Sequence, residues 1–400
     1  MIETNISRTL IDQEHQYLVQ TYGRPDFVLV RGEGMTLYDQ VGRAYQDWVA
    51  GIAVNALGYN DAGVRAEIER GLESGLIHVS NLYHTAPMIE LARVLVEKSF
   101  ADRVFFANSG TEANEGALKF ARRVAYNAGQ PEKTTFITFD HGFHGRSMGS
   151  LSLTPKEKYQ KPFRPLLPGV QVAEFNNLDS VRRLIDHNTC AVMIEPIQGE
   201  GGIHVASSEF LRGLRALCDE FNAVLIFDEV QCGVGRTGHL WAHEASGVTP
   251  DIMTIAKPLA AGLPIGAILV TQRVADHISA GDHGSTFAGG PLITRVAKHV
   301  IERVSAPEFL AHVREVGDYL MERLNELNSP LITEVRGRGL MIGVEMSIDV
   351  SAVVKLGYEH GLLLVNAGPN VIRLVPPLIA QKRDVDHLIE KLTIILESLS

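Results

Sequence analysis

Two apolar runs in the middle of the chain each stop at a residue that can do chemistry. Ala223-Val224-Leu225-Ile226-Phe227 gives way to Asp228-Glu229-Val230-Gln231, and Asp251-Ile252-Met253-Thr254-Ile255-Ala256 gives way to Lys257-Pro258. Short runs rich in β-branched residues and bounded by turn signals read as buried strands of a parallel sheet. Open α/β sheets bind their ligands at the carboxyl ends of such strands. A carboxylate there needs a cation or strong donor to offset its desolvation. An arginine partner would make Asp228 structural, whereas a protonated ring nitrogen would make it part of a cofactor site. An amine there with a depressed pKa exists as the free base and condenses with carbonyls, although most lysines are solvated surface groups.

A third stretch offers an anion cradle. Val104-Phe105-Phe106-Ala107 leads into Asn108-Ser109-Gly110-Thr111-Glu112-Ala113-Asn114-Glu115 and then a helical run. Such a turn exposes free N–H groups at the positive end of the helix dipole, and the Ser109 and Thr111 hydroxyls add donors. The same residues also serve as an ordinary helix cap, with Glu112 and Glu115 in the first turn. Neither G-x-x-x-x-G-K-[ST] nor a strand-to-helix G-x-G-x-x-G occurs, so the standard nucleotide loops lose support, and a nucleotide held by the Gly110 turn stays an alternative. Phosphate cradle, partner for a pyridinium nitrogen and Schiff-base lysine are together the requirements of pyridoxal 5'-phosphate. His141 and His144, three apart in a turn without cysteine or an H-E-x-x-H pattern, do not predict a metal site.

Composition agrees with small-molecule chemistry. Lys plus Arg number 37 and Asp plus Glu 47, and the net charge of −10 gives no case for nucleic acid or an anionic membrane. No apolar run reaches the about 18 residues of a membrane span, and Met1-Ile2-Glu3-Thr4-Asn5 has no basic or apolar leader character. Cys190, Cys218 and Cys232 are odd in number and widely spaced, so they read as reduced thiols in a cytoplasmic protein.

The elements that must position these residues follow from the patterning. An amphipathic helix is predicted over residues 7–22, and short antiparallel strands over 27–37 and 44–49. From about residue 61 helices alternate with apolar strands at 104–107, 134–139, 170–175, 191–195, 224–227, 252–256 and 265–270. This alternation predicts a mostly parallel sheet covered by helices on both faces. A charged helix over 308–327, strands at 332–336, 340–345 and 371–374, and a helix over 383–399 complete the chain. The expected division is 1–60 and 306–400 forming a small domain from both ends, with 61–305 as the large domain.

With these residues in view, the chain resembles the class III pyridoxal-phosphate-dependent aminotransferases, and among them the acetylornithine aminotransferases. The resemblance is carried by Ala50-Gly51-Ile52-Ala53-Val54-Asn55, Asn108 to Glu115, Phe143-His144-Gly145-Arg146, Glu195-Pro196-Ile197-Gln198-Gly199-Glu200-Gly201-Gly202, Asp228-Glu229-Val230-Gln231, Gly235-Arg236-Thr237-Gly238, Lys257, Gly284-Ser285-Thr286-Phe287 and Ile372-Arg373-Leu374. It implies fold type I of these transferases: an α/β protein whose large domain holds a mostly parallel seven-stranded sheet, a small α+β domain, and a homodimer with active sites at the interface.

Position by position, the resemblance makes Lys257 the Schiff-base lysine and Asp228 the acid on the pyridine nitrogen. Val230 and Gln231 lie beside the ring, with Gln231 at its phenolic oxygen, and Phe143 stacks on one face. Ser109, Gly110 and Thr111 hold the phosphate, joined by Thr286 of the other subunit. Arg373 receives the α-carboxylate of glutamate or 2-oxoglutarate, and Glu200 shields it when an ω-amine enters. Arg146 takes the other carboxylate, and Ser285 contacts the acylated amine. The implied reaction moves the δ-amino group of N-acetyl-L-ornithine to 2-oxoglutarate; succinylornithine, acyl-lysine, ornithine and γ-aminobutyrate are the alternatives, as is a non-catalytic cofactor carrier. Gly51 occupies the place of a tyrosine that reads the free α-amino group in ornithine aminotransferases. The sequence departs from the family at Gly58-Tyr59-Asn60-Asp61-Ala62 and at His84.

Overall fold

The computed structural model describes residues 2–399, with side chains from Arg8 onward. Its centre is a seven-stranded sheet, in spatial order Arg103–Ala107, Gly266–Val270, Ile252–Ile255, Val224–Asp228, Thr189–Ile194, Thr135–Phe139 and Val170–Ala173. Every strand lies within two residues of its predicted run. Gly266–Val270 is antiparallel to both neighbours, so Arg103–Ala107 runs in the same sense as the parallel strands. The turns after Ala107, Phe139, Ile194, Asp228 and Ile255 therefore all open at one edge of the sheet.

Period-two alternation divides the sheet's side chains between two cores. Ala191, Met193, Val224 and Ile226 pack with Ala113, Ala117 and Leu118 of the Gly110–Asn127 helix. Val192, Ile194, Leu225 and Phe227 point the other way, onto Phe210, Leu211 and Leu214 of the Ser208–Glu220 helix. Both faces of the central strands are covered, which is why their sequences read as continuous apolar runs.

The two chain ends meet. Leu362–Leu363 pairs in parallel with Ala44–Asp47, joining a sheet otherwise built from Leu29–Glu33, Thr36–Asp39 and Ala44–Asp47. A further sheet has the order Ile332–Arg338, Met341–Met346, Val371–Leu374, Val365–Asn366. The N-terminal helix is Ile2–Tyr17, earlier than the predicted 7–22. Gln20 Nε2 donates to the carbonyls of Glu14 and Leu18 at 3.2 and 2.8 Å, so a side chain takes over the helix-end acceptors and the chain turns away. Among the described residues no helix is long and apolar enough to cross a membrane.

Candidate active site

At the sheet edge the turns enclose a cavity of about 260 Å3. Gly110, Thr111, Phe143, Arg146, Asp228, Val230, Gln231 and Lys257 line it, all expected from the sequence. Asn114, His144, Gly145 and Glu195 also line it and were not expected. Ser109, Ser285, Thr286, Glu200 and Arg373 stand outside its wall.

Asp228 ends its strand in a buried position, and its partner is not an arginine. Its Oδ2 accepts from His144 Nδ1 at 2.7 Å and Asn114 Nδ2 at 2.8 Å, and its Oδ1 from the Val230 N–H at 3.0 Å. Thr254 Oγ1 donates to Asn114 Oδ1 at 2.7 Å, fixing which way the amide faces. Burial alone would lower the His144 pKa, but the hydrogen bond and charge of Asp228 outweigh it and hold the imidazole pKa above its usual value. The ring and the amide thus both point at one carboxylate oxygen of Asp228 and fix its orientation. Glu195 is a second buried acid: it accepts from the Phe143 N–H at 2.9 Å and the Gly199 N–H at 3.0 Å. Burial pushes its carboxyl pKa up, and Asp228 adds to this. It orients the turn that carries Phe143 and the loop that carries Glu200.

Lys257 opens a 3₁₀ turn, Lys257–Ala260, directly after its strand. Loss of hydration lowers the pKa of its ammonium, with Glu200, Asp228 and Glu195 opposing and Arg373 assisting the shift. Opposite it lies the start of the Gly110–Asn127 helix. Ser109 Oγ caps this helix by accepting from the Glu112 N–H at 3.3 Å, so the structural role weighed for it is realised. A Cβ at Gly110 would lie 2.6 Å from Val230 Cγ1, a contact only glycine avoids. Thr111 Oγ1 is 2.6 Å from Ser147 Oγ, which in turn donates to Glu115 at 2.6 Å.

Two arginines flank the cavity. Arg373 is buried, and its Nη1 donates to Glu200 Oε1, to Gln231 Oε1 at 3.0 Å and to the Gly199 carbonyl at 3.3 Å. Its Nε has no hydrogen-bond partner among the described residues. Arg146 places its guanidinium 3.4 Å from the centre of the Tyr159 ring and 5.8 Å from that of Phe143. Ser285 and Thr286 do not reach the cavity of their own chain: Ser285 Oγ accepts from Asn108 Nδ2 at 3.0 Å, and Thr286 is exposed.

Gly51 sits in a left-handed turn. Ala50, Gly51, Ile52 and Ala53 have φ of +51°, +64°, +66° and +61°, a conformation that costs L-residues energy and marks functional segments. Asp47 Oδ1 holds the turn's entry by accepting the N–H groups of Val49 and Ala50 at 2.8 and 3.0 Å. Tyr59, one of the departures from the family pattern, donates its hydroxyl to Asp47 Oδ2 at 2.6 Å. Asp61 caps the Ala62–Glu73 helix, and His84 is exposed.

Comparison with known proteins agrees with this architecture. The family described as aminotransferase class-III matches residues 18–396. The mitochondrial acetylornithine aminotransferase of Alnus glutinosa is 50% identical, covering 98% of this chain and 89% of that protein. The succinylornithine transaminase of Yersinia enterocolitica is 43% identical, covering 96% and 95%. The crystal structure of N-acetylornithine aminotransferase from Stenotrophomonas maltophilia superposes with a TM-score of 0.84 at 36% identity, covering 97% and 99%. The protein is a member of the class III aminotransferases.

Proposed function

We propose that this chain transfers the δ-amino group of N-acetyl-L-ornithine to 2-oxoglutarate, yielding N-acetylglutamate 5-semialdehyde and glutamate in arginine biosynthesis. The observation that carries it is the opposition of Asp228 and Lys257 across one cavity whose third side is a glycine-opened helix start. That donor set suits pyridoxal 5'-phosphate: an anion held by His144 and Asn114 for a protonated ring nitrogen, an amine with lowered pKa, and helix N–H groups for a phosphate. When bound, the cofactor supplies an aldehyde and an electron-accepting ring.

The chain's residues bind and orient around that group. Asp228 would hold the ring nitrogen in its protonated form, and His144 and Asn114 orient the Asp228 carboxylate toward it. Phe143, Val230 and Gln231, which line the same cavity, would hold the ring. Ser109, Gly110 and Thr111 at the helix start would hold the phosphate, and Lys257 Nζ would move a proton at the substrate carbon that carries the amine. Glu200 neutralises Arg373 while the ω-amine is present and releases it for the α-carboxylate of 2-oxoglutarate or glutamate. Arg146 takes the remaining carboxylate. Gly51 leaves space where a larger side chain would meet the acylated α-amino group.

Thr286 and Ser285 belong, on this reading, to the cavity of a second copy. Support comes from their absence from the lining of their own cavity and from exposed Phe287 beside them, with exposed Ile77, Leu82 and Tyr83 on a segment whose Asn81 donates to the Ser285 and Ala288 carbonyls at 3.0 and 2.9 Å, a set of large apolar side chains suited to a homodimer interface. The three thiols are free and buried, which fits a reducing compartment, and we assign the cytoplasm. Purified protein should be assayed with 2-oxoglutarate against N-acetylornithine, succinylornithine, ornithine and γ-aminobutyrate. Preference for the acetylated donor supports the assignment, and preference for the succinylated one moves it to the activity named for the Yersinia relative.

A further inference from the structure

The loop carrying Glu200 is pinned on both sides of that residue. The Gly199 N–H donates to Glu195 at 3.0 Å, and Arg336 Nε donates to the Gly202 carbonyl at 2.9 Å. A Cβ at Gly201 would lie 2.5 Å from the His141 carbonyl oxygen, so the main chain is seated close against its neighbour. At Glu200 itself the pin is Lys156, whose Nζ donates to the Glu200 carbonyl at 2.9 Å. Lys156 is half-buried, with no carboxylate in ion-pair reach among the described residues. It immediately precedes the short helix Glu157–Gln160, and that helix is itself anchored: Gln160 Nε2 donates to the carbonyls of Leu151, Ser152 and Thr154 at 3.0, 3.2 and 3.0 Å.

The same short element supports the other arginine. Tyr159 lies under Arg146, 3.4 Å from ring centre to guanidinium, and Lys156 Nζ is 5.9 Å from the same ring. Behind Glu200 a cavity of about 730 Å3, lined by Lys156, Tyr159, His204 and Arg336, gives its carboxylate somewhere to go when it leaves Arg373. The two half-reactions proposed above need Arg373 in opposite states, masked for an ω-amine and bare for an α-carboxylate.

Resting on that reading, we infer that Lys156 and Tyr159 form one positioning unit for the two carboxylate receptors. Lys156 holds Glu200 shut over Arg373 and Tyr159 holds Arg146 in place, so the strength of the Lys156 contact sets how the enzyme divides its preference between ω-amines and glutamate. Neither residue touches the reacting atoms.

The test uses holoenzyme, each half-reaction run separately with N-acetylornithine or glutamate, and calorimetric binding of glutarate, an unreactive dicarboxylate. Lys156→Met is expected to tighten glutarate binding and to shift the ratio of kcat/KM for the acetylated amine to that for glutamate about tenfold toward glutamate, the size of one charge-assisted hydrogen bond. Lys156→Arg should stay near wild type. Tyr159→Leu should raise KM for both substrates with kcat little changed, and Tyr159→Phe, which keeps the stacked ring, should not. If Lys156→Met moves both half-reactions by the same factor and leaves glutarate binding unchanged, the latch is refuted while the two-arginine reading stands. If wild type binds no glutarate and converts neither substrate, the two-arginine reading falls and the latch with it.

Discussion

Asp228 and Lys257 do opposite things with charge. Asp228 accepts hydrogen bonds from His144, Asn114 and the Val230 N–H, which fix its carboxylate in place. Asp228→Asn keeps the shape and removes the charge, so kcat should fall by about a hundredfold or more, with the cofactor still bound; assay and absorbance spectra on the same sample check this. Lys257 is a cation denied its hydration, and its folded-state pKa is depressed. Between that depressed value and the about 10.4 of an unfolded lysine, the unfolded chain binds more protons, so this group makes stability rise with pH. Removing it should therefore stabilise the cofactor-free protein at neutral pH: Lys257→Met is expected to raise its melting temperature. The gain should shrink as pH approaches the unfolded pKa, which thermal melts across pH would show. Asp228, Lys257 and Gly110 were legible in the sequence because each sits where an apolar run stops. His144, Asn114, Thr254 and Glu195 were not, because each comes from a different turn and acquires a role only when the sheet brings those turns together. His144 was visible in Phe143-His144-Gly145-Arg146, but its spacing from His141 suggested only a metal question and not a partner for Asp228.

At the scale of elements, close approach of backbone sets the site. Gly110→Ala would drive a methyl into Val230 at the mouth of the helix. The expected result is at least about a tenfold loss of cofactor affinity, since the phosphate cradle is displaced, with a smaller effect on the melting temperature of the cofactor-free protein. The left-handed turn Ala50–Ala53 depends on Asp47, whose carboxyl pKa burial raises although Tyr59 and the Val49 and Ala50 N–H groups oppose that rise. Tyr59→Phe leaves one carboxylate oxygen without its donor and should cost about 1 to 3 kcal/mol at pH 7. That loss should diminish at low pH as Asp47 protonates. The central strands were read nearly to the residue because burial on both faces makes them continuous apolar runs. The helix Ser351–Glu359 and the two-residue strands Leu362–Leu363 and Val365–Asn366 were not predicted, since segments so short carry too little periodicity.

For the whole molecule, the pairing of Leu362–Leu363 with Ala44–Asp47 ties the chain's ends together beside the large sheet. One copy leaves Leu82 at 83% and Tyr83 at 67% exposure, together with Phe287 at 66%. On the proposal that Thr286 serves the site of a second copy, sedimentation should show a dimer, and Phe287→Asp should weaken it and lower cofactor affinity in parallel. The most direct measurement is steady-state kcat/KM for a panel of amine donors at saturating 2-oxoglutarate. N-acetylornithine should exceed ornithine and γ-aminobutyrate by at least about tenfold, the discrimination expected when a site accommodates one acyl group and rejects a charged amine. A preference for free ornithine, or glutamate formation from none of these donors, would contradict the assignment.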